Sequence, residues 1–244
     1  MLSIAPLSSG QSNYYLSLAS TAAGYYLDQK GMEPAGRWYG PCAAEFGLSG
    51  IVQADHLNRL CEGVHPHDQS NLVRNAKSEE RATGTDLCYS APKSVSLAWA
   101  LASPELSEAI ERAMNRAVRD ALDYMQATCG FARTGAQGQT LKQVPLLFAT
   151  FGHSSSRLGD VQLHTHCVCP NVTVHGVKSN GNLHTTAIDP TSFYVHKMTG
   201  GSIFRASLSA SLRDLGFEMG VTTGHPYPVS LSFPYSRSSS CSTW

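Results

Sequence analysis

The segment Phe151-Gly-His153-Ser-Ser-Ser-Arg157-Leu-Gly-Asp160-Val-Gln-Leu-His164-Thr-His166 restricts this chain more than any other. It places three imidazoles within fourteen residues, with His164 and His166 at i and i+2. On a strand those two positions share one face, ~6–7 Å apart along the backbone. The preceding apolar run from Val144 to Phe151 reads as a second strand reaching His153. Paired as an antiparallel hairpin, the strands bring His153 to the other two. Three nitrogens at ~2.0–2.1 Å from one ion leave a coordination position open, which suits catalysis better than structural closure.

A His-x-His alone is common in strands that bind nothing, and it is the third histidine at hairpin distance that favours a metal. Cys167 and Cys169 fall on the face of Leu163 and Thr165, opposite the imidazoles, and read as small core residues. The His-x-His of binuclear metallo-hydrolases is usually followed by an Asp-His pair. Here Cys-Val-Cys follows, which argues against that class.

Two tyrosine pairs, Tyr14-Tyr15 and Tyr25-Tyr26, stand eleven residues apart near the N-terminus. A phenol has a pKa near ~10, so a nearby cation or carboxylate is needed to favour its nucleophilic form. Tyr is a suitable nucleophile for a phosphodiester, since a phosphotyrosine ester retains the bond energy. The competing role is packing, because eleven residues is close to three helical turns. A third signal is Gly84-Thr-Asp86-Leu-Cys-Tyr-Ser90-Ala-Pro92-Lys93-Ser-Val-Ser-Leu-Ala-Trp99, a short strand running into a helix with Ser90 as N-cap. Free N–H groups and Lys93 at that helix start suit a phosphate. Asp86 at the strand end is placed either to accept a proton or to hold a metal-bound imidazole, its other role being a local turn or cap.

Together these segments resemble the conjugative relaxases of the TrwC/TraI type (MobF class) within the HUH endonucleases. The resemblance is carried by Met1-Leu-Ser-Ile-Ala, the Tyr pairs, Glu45-Phe-Gly-Leu-Ser-Gly50, the block from Asp86 to Ser96, and Gln162-Leu-His-Thr-His166 with Asn171-Val-Thr173, in the family's order across roughly residues 1 to 218. It implies that His153, His164 and His166 hold one divalent metal of the Mg, Mn or Zn class, with no nucleotide cofactor. It assigns the covalent DNA link to Tyr14 and a later strand transfer to Tyr25, with Tyr15 and Tyr26 as alternates, and it matches Asp86 to the family's Asp. Lys93 and Arg157 are the expected DNA contacts. The implied reaction is nicking of single-stranded DNA at an origin of transfer through a 5′-phosphotyrosine link, within a relaxosome of accessory and coupling proteins. The alternatives are a rolling-circle replication initiator of the same superfamily and an inactive truncated remnant. The chain departs from the pattern in its longer gap between Tyr pairs, in Val161 where Pro commonly stands, and in its C-terminal end.

At 244 residues the chain can form one domain with a substantial core. Lys+Arg and Asp+Glu balance at 18 each, so phosphate contacts must come from local clusters such as Arg74, Lys77 and Arg81. Arg112, Arg116 and Arg119 read instead as the outer face of an amphipathic helix from Pro104 to about Met125, whose apolar stripe is Leu106, Ile110, Met114, Val118, Leu122 and Met125. Seven cysteines without a CxxC pair fit a reducing compartment, and the expected location is cytoplasmic, without membrane insertion. Residues 60–83 read as loop with a short helix, and Gly130–Gln143 as loop. Asp189-Pro190 opens a helical stretch interrupted at Gly200-Gly201 and ending near Leu215-Gly216.

The expected fold is α+β, a central antiparallel sheet carrying the three histidines and flanked by helices; the HUH architecture itself is implied by the resemblance. Residues 1–221 are expected to form the relaxase domain, truncated at its C-terminal end. Residues 222–244, rich in Ser and Pro, are expected to be an irregular tail.

Overall fold

Five strands make the main sheet of the computed structural model, which describes residues 1–7, 35–156, 159–179, 181–220 and 230–232. They are β1 (Leu2–Leu7), β2 (Arg37–Tyr39), β3 (Gly84–Ser90), β6 (Phe148–Ser155) and β7 (Val161–Pro170), ordered β1-β3-β7-β6-β2. Every neighbouring pair is antiparallel. The predicted hairpin forms as β6–β7, with His153 directly opposite His164, and a bulge follows between His153 and Ser155. The chemistry-bearing strands are therefore the central ones, with a pairing partner on both sides.

Strand alternation sorts β7 as expected. Leu163, Cys167 and Cys169 enter one core with Leu87 and Tyr89 of β3. Over that face lie α4 (Pro104–Cys129) and α5 (Thr191–Asp214), which supply Ile110, Met114, Val118, Leu122 and Met125, then Phe193, Phe204, Leu208 and Leu212. Burying each large apolar side chain contributes about 1.5–3 kcal/mol, so this interface dominates the fold. Ser103 caps α4 by accepting the Leu106 N–H at 3.4 Å, with Pro104 in the first turn. The helix runs to Cys129, a turn past the predicted end, and Cys129 is itself buried.

The glycine pair does not interrupt α5. A Cβ on Gly200 would lie 2.3 Å from Met125 Cε, and one on Gly201 would lie 3.3 Å from Leu2 Cβ. The helix passes so close to α4 and β1 that small residues are needed there, and this packing outweighs their poor helix propensity of about 1 kcal/mol each.

The opposite face is covered over half its length. The short helices α1 (Cys42–Glu45) and α2 (Ala54–Cys61) and the irregular chain after them pack Phe46, Leu57, Leu60 and Leu72 onto Leu147, Ala149, Phe151 and Val168. Among the described residues, this cover stops short of the histidine end of the face. Arg81, grouped above with Arg74 and Lys77 as a phosphate contact, is instead buried in this layer. Its guanidinium donates to the carbonyls of Cys61 and Asn171 and to Asn75 Oδ1.

Three further expectations are corrected. Gly130–Gln143 is not loop but a two-stranded hairpin, β4 (Phe131–Thr134) with β5 (Thr140–Gln143), turned through Gly135 and Gly138 at positive φ; the wholly exposed side chains of β5 hid it. Ser90 does not cap a helix but remains in β3, paired with His164, and α3 (Lys93–Leu101) begins after Pro92. The tail expected to be irregular contains β11 (Ser230–Ser232), paired with β10 (Glu218–Gly220) outside the main sheet. A further hairpin, β8 (Thr173–Val177) with β9 (Leu183–Thr186), follows β7. No helix among the described residues is long and apolar enough to cross a membrane.

Candidate active site

His153, His164 and His166 stand on this second face as a nearly equilateral triangle, His153 buried and the other two half-buried. Their ring centres are 5.2 Å (153–164), 5.1 Å (164–166) and 5.4 Å (153–166) apart. One edge is the cross-strand pair of β6 and β7, and another is the i, i+2 step along β7. With metal–nitrogen bonds near ~2.1 Å, an imidazole centre lies about 3.2 Å from the ion, and tetrahedral angles then put ring centres about 5.2 Å apart. The spacing fits a three-imidazole site. As they stand the side chains do not close into a finished cage, and among the described residues no group of three or more His, Cys, Asp or Glu has ligating geometry.

The tautomers are set by what each Nδ1 meets. His166 Nδ1 donates to Asp86 Oδ2 at 2.7 Å, and His164 Nδ1 donates to the Gln162 carbonyl at 2.9 Å. Both acceptors can only accept, so a neutral ring carries its lone pair on Nε2. This is the arrangement of histidine ligands oriented by an outer partner. Burial pushes the His166 pKa down, but its hydrogen bonds to Asp86 and Cys88 and the Asp86 charge outweigh it and raise it to about 10, so without an ion the ring keeps a second proton that a metal would displace from Nε2. Of the two roles open to Asp86, the geometry supports holding the imidazole, since its carboxylate is buried behind the ring.

The block from Ser90 to Ser96 positions the strand that carries two of these histidines. Ala91 N–H donates to the Leu163 carbonyl at 2.9 Å, and the buried Ser96 Oγ accepts the Leu163 N–H at 3.0 Å. Gln162 Nε2 reaches back to the Ala91 carbonyl at 2.8 Å. Lys93 Nζ donates to the Val161 carbonyl at 2.8 Å, so this lysine ties α3 to the start of β7, where a phosphate contact was expected. Tyr14, Tyr15, Tyr25, Tyr26 and Arg157 lie outside the described residues.

Three contributors went unrecognised in the sequence. Gln162 orients His164 through its carbonyl, Ser96 fixes the register of β7, and Cys88 stands directly opposite His166. The pairing of β3 with β7 is the signal for Cys88, and it is not readable without knowing which strands are neighbours.

Comparison with known proteins identifies the family and supports the fold. A family model described as TrwC relaxase matches residues 8–229, running past residue 218, to which the resemblance was read from the motifs. The multifunctional conjugation protein TraI of Escherichia coli K12 is 34% identical over 220 residues, covering 85% of this chain. The chain spans only 12% of the length of that relative. A solved, metal-bound structure of the conjugative relaxase TrwC with oriT DNA is 30% identical and superposes with a TM-score of 0.75 over 91% of this chain and 73% of that one. A copper-bound structure of the same complex matches equally well. This chain belongs to the TrwC relaxase family.

Proposed function

We propose that the chain is a conjugative relaxase, which nicks one DNA strand at an origin of transfer by tyrosine transesterification. The observation that carries this reading is the histidine triangle with His166 held by Asp86, in a chain of this family. His153, His164 and His166 would hold one divalent ion, which would polarise a non-bridging phosphate oxygen and offset charge in the transition state. An all-imidazole set suits a Mn or Zn class ion better than Mg, which favours oxygen ligands.

Tyr14 is the proposed nucleophile. Its hydroxyl oxygen attacks the scissile phosphorus and passes its proton to water, while the bond to the 3′ oxygen breaks and that oxygen leaves as a hydroxyl. The 5′ phosphate stays on the tyrosine until another 3′-hydroxyl reverses the step. Tyr25 would serve that second transfer, with Tyr15 and Tyr26 as alternates. The TrwC relaxase model that matches residues 8–229 spans both tyrosine pairs, which supports this role.

On this reading residues 1–221 form the nicking unit, Lys93 and Arg157 border the DNA path, and accessory and coupling proteins complete a relaxosome in the cytoplasm. Incubation with single-stranded oligonucleotides spanning origin-of-transfer sites and Mn or Zn should yield a covalent protein–DNA adduct. Absence of an adduct on every strand tested would refute the nicking role.

A further inference from the structure

A polar cavity lies on the helix side of the sheet, behind the histidines. Thr165 stands between His164 and His166 in β7 and pairs with Gly152, which precedes His153 in β6. Side chains alternate along a strand, so Thr165 faces α4 where the imidazoles face away. With β2 at the sheet edge and one face of α4, these residues enclose about 240 Å³. Asn115, Val118, Arg119 and Leu122, spaced at three and four residues, bring that helix face to the cavity. Arg37 of β2 reaches it from the edge.

Arg37 and Arg119 are the charged residues of the lining, and neither guanidinium makes an ion pair among the described residues. The acids nearby on α4 are engaged elsewhere. Asp123 accepts the hydroxyl of Tyr39 at 2.6 Å, Asp120 accepts that of Ser207, and no Asp or Glu lines the cavity. Thr165 is only 4% exposed, and its hydroxyl has no hydrogen-bond partner among the described residues. Valine would have the same shape without the cost of desolvating a hydroxyl, so the position calls for a partner inside the cavity. Asn115, exposed at the mouth, adds amide N–H donors. Two guanidinium forks, an amide and a hydroxyl make a donor set for a doubly charged oxyanion, and a cation would meet two uncompensated positive charges. The volume is below the ~300–1,000 Å³ of sites for drug-sized ligands, so the occupant is a small molecule rather than a polynucleotide. We propose that this cavity binds a small phosphate monoester, its dianion between Arg37 and Arg119 and its short organic part against Val118 and Leu122. The site needs neither a metal nor nicking, and it stands apart from the function proposed above.

The test is isothermal titration calorimetry of the full chain in EDTA with glycerol 2-phosphate, a monoester, and with dimethyl phosphate, a diester of one charge like the DNA backbone. The monoester should bind at one site per chain, and the diester about tenfold more weakly or worse. Arg37→Gln and Arg119→Gln, both on exposed side chains, should fold normally and each weaken the monoester by about tenfold or more. Thr165→Val should weaken it about three- to tenfold while leaving the unliganded protein at least as stable by thermal melting. A single-stranded oligonucleotide should bind these variants as it binds the wild type, and it should not displace the monoester. Absence of monoester binding at millimolar concentration overturns the proposal, as does unchanged affinity in the double variant of Arg37 and Arg119. Displacement by the oligonucleotide would make the cavity part of a DNA path and overturn it too. Equal affinity for the diester would overturn the assignment to a dianion. If Thr165→Val does not fold, the two arginine variants decide the outcome.

Discussion

Asp86 Oδ2 accepts a hydrogen bond from His166 Nδ1 at 2.7 Å, between β3 and β7 at the centre of the sheet. The carboxylate is buried and directed at one of the proposed ligands, so its value on that proposal is in orientation and in keeping Nε2 as the donor atom. Asp86→Asn retains the shape but offers a weaker acceptor, or an N–H where a lone pair is needed. Outer partners of this kind are worth about 10–100-fold in metal affinity. Titration of Mn or Zn against a chromophoric chelator should show a loss of that order, with the fold intact by circular dichroism. Unchanged affinity would show that Asp86 does not act through His166.

For Tyr14 the expected split is between chemistry and binding. Tyr14→Phe should abolish the covalent adduct and leave single-strand affinity within about twofold, since stacking does not need the hydroxyl. Tyr25→Phe should spare first cleavage and impair a second transfer. Normal cleavage by Tyr14→Phe together with loss in Tyr15→Phe would move the nucleophile to the neighbouring residue.

The histidine hairpin and the long amphipathic helix were legible because each has a strict period. His164 and His166 alternate with Leu163 and Cys167, and Ile110 to Met125 repeats at three and four residues. What could not be read is set by contacts distant in sequence. Gly200 and Gly201 look like a helix break until Met125 and Leu2 are seen against them. Ser90 looks like a cap until β7 pairs with it. Arg81 looks like a surface cation until three acceptors surround its guanidinium.

Gly84 tests the close approach of β3 to β7. A Cβ there would lie 2.5 Å from the Cys169 carbonyl oxygen and 3.2 Å from Pro170 Cα, both backbone atoms of the paired strand. Neither can move without disturbing the ladder that carries the histidines. Gly84→Ala should therefore destabilise by about 1–3 kcal/mol, as overpacking does. Urea unfolding followed by circular dichroism measures it, and a variant as stable as the wild type would show that the strands can separate there at little cost.

Asp189 should give part of the stability a defined acid limit. Its Oδ1 accepts the Thr191 N–H at the start of α5, and its Oδ2 accepts from Arg133 Nε. Hydrogen bonding by Thr191 first, then Arg133, holds its pKa below the ordinary carboxylate value of 3.8. A group with a depressed folded-state pKa stabilises above its unfolded pKa, and that contribution is lost as pH falls through the folded value. Asp189→Asn should thus melt lower than the wild type at neutral pH, and the gap should narrow steadily below about pH 4. A gap independent of pH would mean that the charge of Asp189 contributes nothing.

Tyr89 presents the opposite case, a polar atom that the core does not use. Its ring is fully buried between the sheet and α5, 5.3 Å from the Phe204 ring, and its hydroxyl has no hydrogen-bond partner among the described residues. Burial, with the thiols of Cys167 and Cys129 nearby, pushes its pKa far up, so the group stays a neutral phenol. A buried hydroxyl without a partner costs about 1–3 kcal/mol in lost solvation. Tyr89→Phe removes that cost while keeping the ring and its contact with Phe204, at the expense of a void smaller than a methyl group. The net effect should be a gain of about 0.5–2 kcal/mol. For a domain of this size that is a rise in Tm of roughly 1–8 °C, measurable by differential scanning calorimetry. A fall in Tm would show that the hydroxyl is bonded in solution, through a buried water or a shifted carbonyl, and that Tyr89 is part of the polar scaffold beneath β7.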